Sequence, residues 1–145
     1  MTKDKIKEVM DACYKAKRIR DMLPALPGGI TSSHIIYLDT LRKLEVTKSL
    51  VKVSDISETL GLPRPSVTKT VKDMEKLALI EKTTTEYDGR IVYIKITNRG
   101  RELVDKYVDD YFGNLSGELD EITDIDADRM IEVVNKLYTV MSDRK

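Results

Sequence analysis

Between Pro65 and Leu77 the side chains Lys69, Lys72 and Lys76 recur at three- and four-residue steps, which places them on one face of a helix. Ser66 and Thr68 flank that face, Pro65 opens it, and Arg64 stands just before it. Ammonium groups on long stems bind phosphates, and short hydroxyl side chains reach either phosphates or base edges. Further on, Arg90 follows an Asp-Gly pair, and Asp88 is placed to hold its guanidinium by a charge-assisted bond. An arginine held in this way suits the minor groove of duplex DNA. The set is suited to recognition rather than catalysis. The chain has one histidine and one cysteine, so no nucleophile–base pair with a second histidine is available. A phosphate-cradling glycine loop and metal-ligand spacing are also lacking, and the expectation is a non-enzyme without cofactor or metal.

The elements around these residues follow from punctuation and periodicity. Ser54 to Leu60 reads as a short helix with Ser54 as N-cap, Ile56 and Leu60 facing inward, and Gly61 at the left-handed position that stops it. Gly61-Leu62-Pro63-Arg64 turns the chain into a second helix from Pro65 to Leu77, buried through Val67, Val71, Met74 and Ala78. The residue before a proline avoids helical geometry, so Arg64 is expected as the N-cap, leaving the amides of Ser66 and Val67 for a phosphate. Two strand-like runs follow, Ile80 to Glu86 and Ile91 to Thr97, with Val92, Ile94 and Ile96 on one face and Asp-Gly at the tip. Helix, tight turn, helix and hairpin is the order of a winged helix-turn-helix, which reads duplex DNA. The fold class is therefore mainly α, with a winged helix-turn-helix lobe over residues 31–102.

Flanking helices complete the frame. Ile6, Val9, Met10, Cys13, Ala16 and Ile19 form an apolar stripe ended by Pro24, Pro27, Gly28 and Gly29. Thr31, Ser32 or Ser33 can cap a second helix with Ile35, Leu38, Leu41 and Leu44 inside, and Val46 to Lys52 reads as a polar connection. Thr97 can cap the helix that carries Leu103, Tyr107 and Tyr111, whose later turns are weakened by Gly113 and Gly117. A last helix starts from an Asp126 cap and runs through Val133, Val134, Leu137, Val140 and Met141, with Ile125 stapled to Met130. One small lobe cannot cover all these stripes. Residues 1–30 and 103–145 are thus expected to form a helical dimerisation region of a two-fold homodimer, whose two reading helices meet successive half-sites.

Bulk properties agree with this picture. The net charge is zero, yet by count of charged side chains residues 1–45 carry +3, residues 46–102 carry +3 and residues 103–145 carry −6. No apolar run is long enough for a bilayer, the N-terminus lacks the apolar core of a signal peptide, and a lone cysteine fits a reducing compartment. The expected location is the cytoplasm, away from membranes.

At this point the chain resembles the MarR (multiple antibiotic resistance regulator) family of bacterial transcription factors. The resemblance rests on Val53 to Leu62, Ser66-Val67-Thr68-Lys69, Leu77-Ala78-Leu79-Ile80, the wing signature Asp88-Gly89-Arg90, and Ile96-Thr97-Asn98-Arg99-Gly100. It implies a homodimer with interleaved terminal helices, on a pseudo-palindromic operator in double-stranded DNA. It also implies repression relieved by a small phenolic or lipophilic effector, or by an oxidant. Pro63-Arg64-Pro65 departs from the hydroxyl residues more usual there, which touches the base contacts but not the docking mode.

Three further sites carry competing readings. Cys13 has Tyr14 beside it, as in peroxide-sensing relatives, but lies on the apolar stripe, where a small buried thiol is the plainer role. His34 caps, packs or lines a ligand cavity. Tyr37, Tyr107 and Tyr111 either line a ligand crevice or serve ordinary packing. The rival from another class is a winged helix used for protein contact, without DNA.

Overall fold

The computed structural model describes residues 1–84 and 89–144. It divides into two compact units, Met1–Glu102 and Leu103–Lys145.

In the first unit, α1 (Lys3–Asp21) starts from Thr2, whose hydroxyl accepts the Lys5 amide at 3.2 Å, and it has no buried residue. α2 (Ser32–Thr47) buries Ile35, Tyr37, Leu38 and Leu41. β1 (Val51–Lys52) leads directly into α3 (Val53–Leu60), and α4 (Arg64–Lys76) follows across the Gly61 turn. β2 (Ile80–Thr84) and β3 (Val92–Ile96) pair in a sheet of order β1-β3-β2, antiparallel throughout, and the part of the first wing strand expected beyond Thr84, up to Glu86, lies outside the described residues. The core gathers Leu38 and Leu41 of α2, Ile56 of α3, Val67, Val71 and Met74 of α4, with Val51, Ile80, Ile94 and Ile96 from the sheet. Burying apolar area at roughly 25 cal/mol per Å² is the main stabilising term of such a lobe.

Two close approaches fix the lobe's geometry. Gly61 adopts φ 63°, the left-handed conformation that lets α3 end and α4 begin at a new angle. Gly100 lies so near the turn after α4 that a Cβ there would sit 2.4 Å from the Leu79 carbonyl oxygen.

The second unit begins inside a continuous helical stretch. α5 (Asn98–Val104) passes into a π-helical segment (Asp105–Asp110) and then α6 (Tyr111–Ser116). Thr97 caps α5 as expected, its hydroxyl accepting the Gly100 amide at 3.1 Å. α7 (Asp124–Ser142) closes the chain and has no buried residue. None of the described helices is long and apolar enough to cross a membrane.

Several local expectations are corrected. The connection from Val46 to Lys52 contains β1, whose Val51 is buried and paired with Ile94; two residues leave no alternation to detect. α3 is capped from Lys52, not Ser54, because the Asp55 carboxylate reaches back to the Lys52 amide at 2.8 Å. Ala78 is exposed at φ 59°, and the buried place falls to Leu79 once α4 has ended. α7 is capped by Thr123, whose hydroxyl accepts the Asp126 amide at 3.2 Å, so Asp126 stands in the first turn. Ile125 and Met130 are both largely exposed. The irregularity expected near Gly113 and Gly117 lies earlier, in the π-helical segment, and Gly117 caps α6 in right-handed geometry.

Candidate nucleic-acid interface

α4 is amphipathic, and its two faces have different tasks. Val67, Val71 and Met74 are buried against the core, which fixes the rotation of the helix about its axis. That rotation turns Arg64, Pro65, Ser66, Lys69 and Lys72 outward, all of them exposed, with Thr68 half-buried beside them. Arg64, Pro65, Thr68, Lys69 and Lys72 together line a shallow groove of about 460 Å³. Five of the expected DNA-facing residues are thus brought together on one surface. No salt bridge engages Lys69 or Lys72 among the described residues, so both ammonium groups remain available to anions.

The start of α4 differs from expectation. Pro63, not Arg64, is the N-cap, and Arg64 and Pro65 are already helical. The amides of Ser66 and Val67 both donate to the Pro63 carbonyl, at 3.1 and 3.2 Å. Pro63 has φ −60° and ψ 136°, which aims its carbonyl along the new helix and occupies the amides expected to be open to a phosphate. Anion binding at this end therefore relies on side chains.

Ser66 and Lys69 also face a second, open cavity of about 670 Å³, between α4 and the start of α2. Its far wall holds Thr31, Ser33 and His34, and Asp73 and Lys76 extend it along α4. His34 is only 6% exposed, and burial lowers its pKa while the Asp73 carboxylate opposes that shift. His34 both caps α2 and lines the cavity, two of the roles the sequence leaves open. Tyr37 is buried in the core and does not line that cavity. In the second unit Tyr107 and Tyr111 are half-buried; Lys106 Nζ lies 5.3 Å from the Tyr107 ring centre, and Tyr111 meets Phe112 edge to face.

Arg90 is exposed at the turn before β3. Its expected partner Asp88 lies outside the described residues. Cys13 is exposed in the single chain, and the α1 stripe to which it belongs buries nothing by itself.

One residue that sequence reasoning passes over joins the parts. Glu45 of α2 accepts the backbone amide of Ile96 at 2.9 Å through Oε1 and Arg101 Nη2 at 2.7 Å through Oε2. Separations of 51 and 56 residues along the chain leave no local signal for such a contact.

Comparison with known proteins agrees with this geometry. The model of the family described as "MarR family" matches residues 29–91, which hold α2, the helix-turn-helix and the start of the wing. The HTH-type transcriptional regulator PrsX of Escherichia coli is 23% identical over 136 residues, covering 88% of this chain and 77% of PrsX. Among solved structures, Streptococcus pneumoniae FabT in complex with DNA superposes with a TM-score of 0.67 at 18% identity, covering 99% of this chain and 100% of FabT. Bordetella bronchiseptica BpsR, described for regulation of its DNA binding by 6-hydroxynicotinic acid, gives 0.66 at 13% identity, covering 92% and 98%.

Proposed function

We propose that the chain is a transcriptional regulator of the MarR family, whose model matches residues 29–91, and that it acts as a cytoplasmic, dimeric repressor that binds a pseudo-palindromic operator and releases it on binding a small effector. The observation that carries this reading is α4, with its inner face locked into the core and an outer face of Arg64, Lys69 and Lys72. Such a helix fits a major groove, where cations neutralise phosphates and Ser66 and Thr68 reach toward base edges. Arg90 at the wing takes the neighbouring minor groove.

The dimer is supported by the apolar residues left exposed on α1 and α7, among them Met10, Ile19, Val134 and Val140. Effector release is supported by the cavity beside His34, whose volume lies in the range of small-molecule sites. It shares Ser66 and Lys69 with the DNA-facing set, so an occupant there competes with duplex. BpsR supplies a parallel in a protein of the same fold. A second reading, a thiol sensor, draws on the exposure of Cys13.

The test is binding to the promoter region beside the protein's own gene, against scrambled duplex, at two salt concentrations. Saturable binding that prefers the promoter and weakens steeply with salt supports the regulator. Salt-independent or absent binding rejects it in favour of a protein-contact module. Peroxide treatment of wild type and Cys13→Ser decides the second reading.

A further inference from the structure

We infer that Glu45 is a positioning residue for the wing, setting where Arg90 enters DNA without touching DNA itself. The inference rests on the DNA-binding reading above.

β1 pairs only with Tyr93 and Ile94 of β3, so at Ile96 that side of β3 is no longer covered by strand. β2 covers the other side, where Ile80 stands opposite Ile96. Glu45 Oε1 takes the place of the missing strand and accepts the Ile96 amide at 2.9 Å. Its second oxygen holds Arg101 at 2.7 Å, on the helix that β3 runs into. One carboxylate, only 18% exposed, therefore ties α2 to both the end of the wing strand and the start of the next helix.

This joint lies at the root of a lever. Arg90 stands in the turn before β3, and the chain from there to Ile96 reaches at most about 20 Å at about 3.3 Å per residue. A rotation of about 5° at the root would move the guanidinium by about 2 Å, more than the roughly 0.5 Å tolerance of a productive contact. Truncation of Glu45 leaves the Ile96 amide without a partner, and truncation or neutralisation leaves Arg101 without its counter-charge. The wing then samples orientations in which Arg90 misses the groove.

The experiment is a double-mutant cycle on full-length protein, measuring affinity for promoter duplex by fluorescence anisotropy. Wild type, Glu45→Ala, Arg90→Ala and the double variant form the cycle, and Lys69→Ala is a control on the other contact surface. Glu45→Ala should weaken binding about tenfold. In its background Arg90→Ala should cost less than about twofold, against about tenfold in wild type. Glu45→Gln, which keeps an acceptor for the Ile96 amide, should recover part of the loss. Equal costs of Arg90→Ala in both backgrounds would overturn the inference and leave Glu45 a purely structural residue. Should Glu45→Ala fail to fold, Arg101→Gln replaces it in the cycle, since it breaks the ion pair and spares the strand contact; equal costs again overturn the inference. Unchanged affinity for both Lys69→Ala and Arg90→Ala would reject DNA reading itself. A loss with Lys69→Ala alone rejects only the role of Glu45.

Discussion

Thr31 and His34 cap one another: Thr31 Oγ1 accepts the His34 amide at 3.3 Å, and His34 Nδ1 accepts the Thr31 amide at 3.0 Å. A glutamate or glutamine usually fills the second role of this arrangement. An imidazole fills it only while Nδ1 is unprotonated.

Stability should therefore depend on pH through His34. Burial lowers its pKa in the folded chain, against a weaker opposing pull from Asp73. The unfolded chain takes up a proton as pH falls through about 6.5, while the folded chain resists until lower pH. The contribution is complete above that value and is lost progressively below it. Thermal midpoints measured from about pH 8 down to about pH 5 should fall in the lower half of the range. His34→Gln, which keeps a capping side chain, should flatten that decline; an unchanged slope would assign the titration to another group.

Gly100→Ala should cost about 3 kcal/mol or more. The added methyl would meet the Leu79 carbonyl oxygen at 2.4 Å and Ile96 Cγ1 at 2.8 Å, and the first of these is backbone that cannot rotate away. Denaturant unfolding measures the loss, and a change below about 1 kcal/mol would contradict the packing described.

Gly61 and Ala78 make a paired test, since both hold left-handed φ, at 63° and 59°. Gly61 has open space where a Cβ would go, so Gly61→Ala isolates backbone strain and should cost about 1 kcal/mol. Ala78→Gly removes the same strain but loosens the unfolded chain, so stability should hold or rise by up to about 1 kcal/mol. Chemical unfolding that showed Ala78→Gly to be the more damaging change would refute this assignment.

Lys69→Ala should weaken binding to promoter and scrambled duplex alike and reduce the slope of log affinity against log salt by about 0.9. A loss confined to the promoter would mean that Lys69 reads bases rather than phosphate.

Val134 is 45% exposed on α7, amid Met130, Ile131, Val133 and Val140. On the dimer proposed, Val134→Glu puts a charge into a buried contact and should shift sedimentation from dimer toward monomer. A wild-type protein that sediments as a monomer at micromolar concentration would remove the premise.

The sequence reveals the lobe because its signals are local. Gly61, the spacing of Val67, Val71 and Met74, and the Ile94–Ile96 alternation each declare their element within a few residues. The outward set on α4 follows from the same periodicity, and the structure gathers Arg64, Pro65, Thr68, Lys69 and Lys72 as expected. What escaped is what depends on distance or on single bonds. β1 is too short to show a pattern, and Glu45 finds partners more than fifty residues away. The caps at Lys52, Pro63 and Thr123 differ from Ser54, Arg64 and Asp126 by one to three residues. At Pro63 that small difference closes the backbone amides to a phosphate, so the chemistry of the site changes although the helix does not.

The strand order has a consequence for how copies of the chain meet. With β3 in the middle, β2 presents one free edge of the sheet, and it carries Glu81 and Lys82. Charged side chains on an edge strand discourage sheet-to-sheet joining and the runaway aggregation that follows from it. Backbone pairing along this edge is thereby disfavoured, which leaves the dimer proposed above to side-chain contacts between helices, and such contacts can close on themselves and stop.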